Sequence, residues 1–221
     1  MNYLTNLELI EKLSDGYAIT GLGLLFLDVV LRLDRIMNFK DELVDAVELM
    51  EILPVELKLG LANLDRAEVE KDIYTAIRRA VNEIAKAERW GKYVCRVTKC
   101  DACRVLVRNY LRGVKDKMIT STDTLEDRIE SLLNAIREEN LTRDEIEVVL
   151  ENVEIRVLDL PFQLGVIDGR IAFFQILKAD KTTPAYISTD KEFVRWTESV
   201  FDYFWSFAKP VKIPIETLET V

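Results

Sequence analysis

The chain has 221 residues, 49% apolar and 31% charged, with only 8 Gly and 5 Pro, a composition that builds a packed core and excludes a disordered or fibrous chain. It contains no His and carries a net charge of −9. The first excludes Ser-His-Asp and Cys-His catalysis and His-ligated zinc, and the second argues against a general coat for nucleic acid.

From the N-terminus, Leu9 to Thr20 places Ser14-Asp15-Gly16 between two short stretches rich in Ile, Leu and Tyr. Asp-Gly supplies the positive φ of a tight turn, so a two-stranded ribbon is predicted. Leu22 to Phe39 is apolar nearly all round until Arg32, which predicts a helix with more apolar surface than one domain covers, hence a homodimer. A second helix is predicted over Asp41 to Ile52, with Leu43, Val47 and Met50 on one stripe and Pro54 as its stop. The longest apolar run, Leu22 to Leu31, holds Gly23 and Asp28 and falls short of the roughly 20 residues of a membrane span. The opening MNYLTNLELIEK lacks the basic and apolar regions of a secretion signal. With three Cys, an odd number, no disulfide framework is expected. These features predict a cytoplasmic protein with no membrane partner.

Further on, Val69 to Trp90 predicts a helix carrying Ile73, Ile77, Val81, Ile84 and Ala85 on one side and stopped by Gly91. Lys92 to Thr98 predicts a strand, Cys100 to Gly113 a helix and Lys117 to Thr120 a short strand. Asp123 with Glu126, Thr142 with Glu145, and Thr189 with Glu192 are spaced as caps for three further helices. Val153 to Leu158 predicts a strand, and Phe162 to Ile167 and Arg170 to Ile176 a hairpin turned by Asp168-Gly169. Helices alternating with strands before a closing hairpin imply an α/β class, a mixed sheet with flanking helices.

Ligands of such sheets gather outside the carboxyl ends of the parallel strands, here near Thr98 to Cys103, Thr120 to Asp123 and Asp159 to Phe162. Arg96, Thr98, Cys100, Thr120, Ser121 and Thr122 are therefore the candidate binding residues. Between Arg78 and Lys117 there are 12 basic and 4 acidic residues, a local net of +8 that leaves −17 elsewhere. Hydroxyls, a helix starting near Cys100 and this basic island favour a small anionic ligand.

The hairpin DGYAIT followed by GLGLLFLDVVLRL resembles the wing and following helix of archaeal winged-helix transcription regulators, with Tyr17, Ile19, Thr20 and Gly23 at the matching positions. LPVELKLGLANLDRAEV from Leu53 is similar to the linker entering the sensory domain of the same regulators, the methanogenesis-regulator or TrmB-like type. PFQLGVIDGRIAFFQILK and ISTDKEFVRWTESVFDYFWSFAKPV resemble that domain's closing hairpin and final aromatic helix. The resemblance implies a wing-like hairpin and helical dimerisation region over 1–55 and a sensory domain over 56–221, similar in fold to one half of a phospholipase D but without catalysis. Phosphoryl chemistry of that kind uses His, so no catalytic residue, metal or cofactor is expected and the chain is expected not to be an enzyme. Only 13 residues precede Ser14, where a winged helix carries its recognition helix ahead of the wing, and residues 1–50 hold 4 basic against 9 acidic side chains. DNA is thus a partner only if a preceding segment reads it, the chain being either a fragment or a module that has lost that half.

Two constellations leave alternatives open. Cys95, Cys100 and Cys103 have the spacing C-x4-C-x2-C. They are buried or inert thiols, with Cys95 pointing into the core, or Cys100 and Cys103 form a redox pair at a helix start, or a metal is shared across a dimer. Arg104, Arg108 and Arg112 recur at four-residue steps opposite Cys103, Val107, Tyr110 and Val114; the stripe is a solvated face paired with the acidic remainder or a surface for an anionic partner. The aromatic series Phe193, Trp196, Tyr203 and Phe207, widened by Phe201, Phe204 and Trp205, fits core packing against a sheet. The functional expectation is an effector-binding, dimerising protein of the archaeal regulator type; the alternatives are a Cys-based redox or metal protein and a plain interaction module.

Overall fold

The structure, a computed structural model, describes residues 2–44, 46–96, 102–178 and 183–213. After α1 (Asn2–Asn6), strands β1 (Ile10–Lys12) and β2 (Tyr17–Ile19) form the expected antiparallel ribbon, although neither Asp15 nor Gly16 in its turn takes the expected positive φ, and α2 (Gly21–Met37) follows. Thr20 caps α2 by accepting from the Gly23 N–H at 3.0 Å. Gly23 is required where it is, since a Cβ there would lie 1.9 Å from the Leu9 carbonyl oxygen.

The single helix predicted from Asp41 to Ile52 is two short pieces, α3 (Lys40–Leu43) and α4 (Val47–Ile52). The break turns Ala46, Leu49 and Leu53 into the core, with Leu43 and Met50 of the expected stripe packed half-buried against it and Val47 alone of that stripe exposed. Pro54 then caps α5 (Val55–Leu59), which runs into a 3-10 segment, Gly60–Arg66.

The long helix predicted from Val69 to Trp90 is likewise shorter. Val69 belongs to an edge strand, β3 (Glu68–Glu70); α6 spans Ile73–Ile84, capped by Asp72 on the Thr75 N–H at 2.7 Å; Trp90 opens β4 (Trp90–Val94), so Gly91 lies inside a strand. What ends the helical course is Asp168, whose carboxylate accepts from the backbone N–H groups of Glu88, Arg89 and Trp90 at 2.9–3.0 Å. A residue some 80 positions away thus draws this segment into the sheet.

Helix α7 (Ala102–Leu111) crosses to β5 (Lys115–Thr120); α8 (Leu125–Glu138) and α9 (Arg143–Glu151) cross to β6 (Val153–Val157). The chain then makes the meander β7 (Phe162–Ile167), β8 (Ile171–Ile176) and β9 (Ala185–Ser188), and closes with α10 (Lys191–Trp205) and β10 (Lys209–Pro210). Asp168 and Gly169 have φ of 53° and 67°, the positive values anticipated for the β7–β8 turn. Thr142 and Glu145 form the expected reciprocal cap of α9. Two other caps are corrected: α8 starts after a 3-10 turn at Thr122–Thr124, Asp123 being turned to Arg96, and α10 is capped by Asp190 rather than Thr189.

Among the described residues the main sheet has eight strands in the order β10-β6-β5-β4-β7-β8-β9-β3. Strands β6, β5 and β4 are parallel and the other pairings antiparallel, the mixed α/β sheet that the element order implied. Alternation divides its side chains between two cores. On one face Val94, Ile119, Leu164 and Phe174 meet α10 and Leu49, Leu61 and Leu64. On the other, Tyr93, Met118, Ile155 and Ile187 meet α7, α8 and α9. No helix among the described residues is long and apolar enough to cross a membrane.

Candidate ligand sites and association surface

The carboxyl ends of β4 and β5 lie side by side, with Tyr93 paired to Met118 and Val94 to Ile119. Arg96, Thr120, Ser121 and Thr122 therefore share one end of the sheet; Thr98 and Cys100 lie outside the described residues. The hydroxyls here have partners within the chain. Thr120 and Ser121 are buried, and their oxygens lie 3.0 and 2.8 Å from the Thr124 hydroxyl. Thr122 donates its N–H and its hydroxyl to the two carboxylate oxygens of Asp159 at 2.8 and 3.0 Å. Arg96 is paired with Asp123 at 2.6 Å, and the Ser121 hydroxyl together with Arg96 holds the Asp123 carboxyl below the usual carboxylate range. One cation of this region escaped the sequence: Arg128 of α8 is buried and donates to the Cys95 carbonyl at 3.4 Å. Within EDRIE it looks like an ordinary solvated helix charge, and only the packing of α8 on the end of β4 distinguishes it.

Below the rim, Asp116 faces Gly91 across β5 and β4 and is buried. Its two oxygens and the Tyr93 hydroxyl have no hydrogen-bond partner of good geometry among the described residues. Burial pushes its pKa up to about 7, partly offset by the Tyr110 hydroxyl and the Gly91 N–H. Burial also raises Tyr93 and Tyr110 well above the usual phenol value. The sequence offered Asp116 only as one of four acids in a basic island.

That island disperses in three dimensions. Arg104 pairs with Glu138 and Arg108 with Glu139 on α8 at 2.6 and 2.8 Å, while Arg112 is drawn to the Ala85 and Ala87 carbonyls and the Asn109 side chain. Lys92 holds Glu198 and Asp202 of α10. Two of the three arginines of the stripe are thus paired with acids of the chain, and the third is held by backbone carbonyls and Asn109. Opposite the stripe Cys103, Val107, Tyr110 and Val114 are buried against the sheet as expected. Cys95 is half-buried rather than enclosed in the core; Cys103 is buried, and its proposed redox partner, Cys100, is outside the described residues.

Along α2, Leu22, Leu24, Leu25, Phe26, Leu27, Val29, Val30, Leu31, Leu33 and Met37 are all exposed, and Gly23 alone is buried. The helix rests on the 3-10 segment Gly60–Arg66 and on α5. Its charged side chains are Asp28, Arg32, Asp34 and Arg35, a neutral set, with Asp28 and Arg32 paired at 3.0 Å.

No protein-family model matches the chain, and no curated protein does so either. Among solved structures a match exists. The chain is similar in fold to TrmBL2. TrmBL2 is an archaeal chromatin protein whose structure shows a novel mode of DNA binding; it aligns over 95% of this chain and 80% of its own, with a TM-score of 0.52 and 14% sequence identity. At that identity the likeness to TrmBL2 is one of fold.

Proposed function

We propose that the chain is a non-catalytic, effector-responsive association module of the TrmB-like archaeal regulator type, which dimerises through α2. The observation that carries this is the exposure of ten large apolar side chains along one helix, a patch of the kind that marks an interface. A second copy of the chain is the occupant that the charges favour. The protein as a whole is at −9 and repels itself, whereas the ionic side chains of α2 sum to zero, so this is a surface where like copies meet without a charge penalty. Similarity in fold to TrmBL2, an archaeal chromatin protein, supports the regulator type. DNA contact by residues 1–50 is not included, since those residues are net acidic. Sedimentation at micromolar concentration should show a dimer, and a monomer there would overturn the proposal.

The effector in this proposal is a small anion at the strand-end rim. Donors there already hold carboxylates of the chain itself, Arg96 that of Asp123 and Thr122 that of Asp159, and an incoming anion would replace them. Inorganic phosphate is the probe. Asp159→Asn weakens the internal competitor and should tighten phosphate binding, while Thr122→Val, removing the hydroxyl that an anion would take over from Asp159, should weaken it by about 1 kcal/mol. No phosphate heat with the unaltered chain or either variant would remove the anion and leave association alone.

A further inference from the structure

Helix α6 covers its apolar stripe incompletely. Its apolar stripe faces the sheet, yet Ile73, Ile77, Ala80 and Val81 are only half-buried, with Ala76 and Ile84 alone fully covered. Between this stripe and the sheet lies a partly open pocket of about 130 Å³, whose facing wall is built by Tyr93, Gly165 and Phe173 of β4, β7 and β8. Small residues keep it open: Ala76 and Ala80 on the helix, and Gly165 beneath, where a Cβ would come within 3.3 Å of the Tyr93 ring. One end is polar. Gln163 donates to Gln175 at 2.5 Å and Gln175 to the Thr183 carbonyl at 2.6 Å. Among the described residues no charged side chain lines the space.

We infer that this cavity binds a small, neutral, largely apolar molecule, about the size of one aromatic ring and carrying at most one hydrogen-bonding group placed toward Gln163 and Gln175. Size and chemistry both point there. An apolar space of about 150 Å³ is large enough to take up benzene, and an ion would enter a lining that supplies no counter-charge among the described residues at a desolvation cost. The ligand class is therefore different from the anion of the strand-end rim, and the site is a separate one. A route to the rest of the molecule is also present. Helix α6 follows β3 directly, Arg79 of α6 reaches back to Glu68 of β3, and β3 follows the 3-10 segment on which α2 rests. A ligand that changes how α6 sits on the sheet is thus mechanically close to the association helix, a consequence that rests on the association module proposed above, while binding itself does not.

Benzene is the probe, applied to the full chain. It should raise Tm by about 3–5 °C, the shift given by a ligand at roughly ten times its Kd in a chain of this length, and should move the methyl resonances of Ile77 and Val81. Ala80→Leu fills the space and should abolish both effects; Leu27→Glu, altering the exposed face of α2 that could also take up benzene, should retain both. If Ala80→Leu fails to fold, xenon diffused into crystals of the unaltered chain serves instead, with an atom between Ala80 and Phe173 expected. A benzene response that survives in Ala80→Leu, unmoved Ile77 and Val81 methyls, or an empty gap under xenon would overturn the site. A dimer that persists while benzene fails to bind would sink this inference and spare the association module. A monomer that still binds benzene would do the reverse.

Discussion

Helices α2 and α10 have similar lengths, 17 and 15 residues, and both are rich in large apolar side chains, yet they end in opposite environments. In α10 the rings recur at three- and four-residue steps, so Phe193, Trp196, Val200, Phe201 and Phe204 form one buried face while Glu198 and Asp202 on another side pair with Lys92 of the sheet. In α2 apolar residues occupy almost every direction, and a helix resting on α5 and the 3-10 segment that follows it covers few of them. Apolar content alone therefore does not place a helix inside. Amphipathic spacing does, because only a helix with a polar side to leave in water can bury the other within its own chain.

The comparison breaks most readily at α10. Phe201 is 0% exposed and stacks on Trp205 at 5.3 Å between ring centroids, so Phe201→Ala should cost about 3–5 kcal/mol of unfolding free energy in urea melts. The matching change on α2, Phe26→Ala at a residue 53% exposed, should stay within about 0.5 kcal/mol for the monomer. Equal losses at the two positions would mean that α2 is buried within its own chain.

The opposite core gives the next largest effect and tests whether it is as well satisfied as the α10 side. Asp116 titrates near 7 when folded against 3.8 ordinarily, so between those values the folded chain holds a proton that the unfolded chain releases. Stability from this group is full below about pH 4 and is lost as pH rises through 7. Asp116→Asn does not titrate, and its stability relative to the unaltered chain should rise between pH 4 and pH 8, by an upper bound of roughly 4 kcal/mol. A difference between the two proteins that is flat with pH would show that Asp116 ionises freely in the fold. Carboxylates held low, such as Asp168 by its backbone donors, act in the acid range in the opposite sense and cancel from the difference.

What the sequence disclosed follows from how local the cause is. The Asp168-Gly169 turn and the Thr142–Glu145 cap are set within a few residues and stand as the spacing predicts, and so do most rings of α10, although Tyr203 is half-buried and Phe207, beyond the helix end, is exposed. The end of α6, the strand at Trp90 and the edge strand at Val69 were misread because their causes are remote: the Asp168 carboxylate on one side and the Ala185–Ile187 segment pairing with Glu68–Glu70 on the other. The candidate rim was legible as hydroxyls and Arg96. Its carboxylate partners were not, since Asp123 carries the spacing of a helix cap and Asp159 lies 37 residues from Thr122. The charge island misled for the same reason, Arg104 and Glu138 being 34 positions apart. The α6 cavity left a faint trace in Ala76, Ala80 and Gly165, but small residues on a helix face equally permit close packing, and spacing does not measure how near a helix sits to its sheet.

The smallest effect on the folded monomer separates α2 from α10 most sharply. Leu27 lies near the middle of α2 and is 45% exposed, so Leu27→Glu removes little that the monomer buries and should change its unfolding free energy by about 0.5 kcal/mol or less. In a dimer the same glutamate would be carried into an apolar seam on both copies without a counter-charge, which is costly. The unaltered chain should therefore show a Tm that climbs with protein concentration, because association stabilises only the folded form. The variant should sediment as a monomer, and its Tm should be independent of concentration. Should the variant remain dimeric, or the unaltered chain melt at one temperature over a hundredfold range of concentration, α2 is not the dimer seam and its apolar surface needs another occupant.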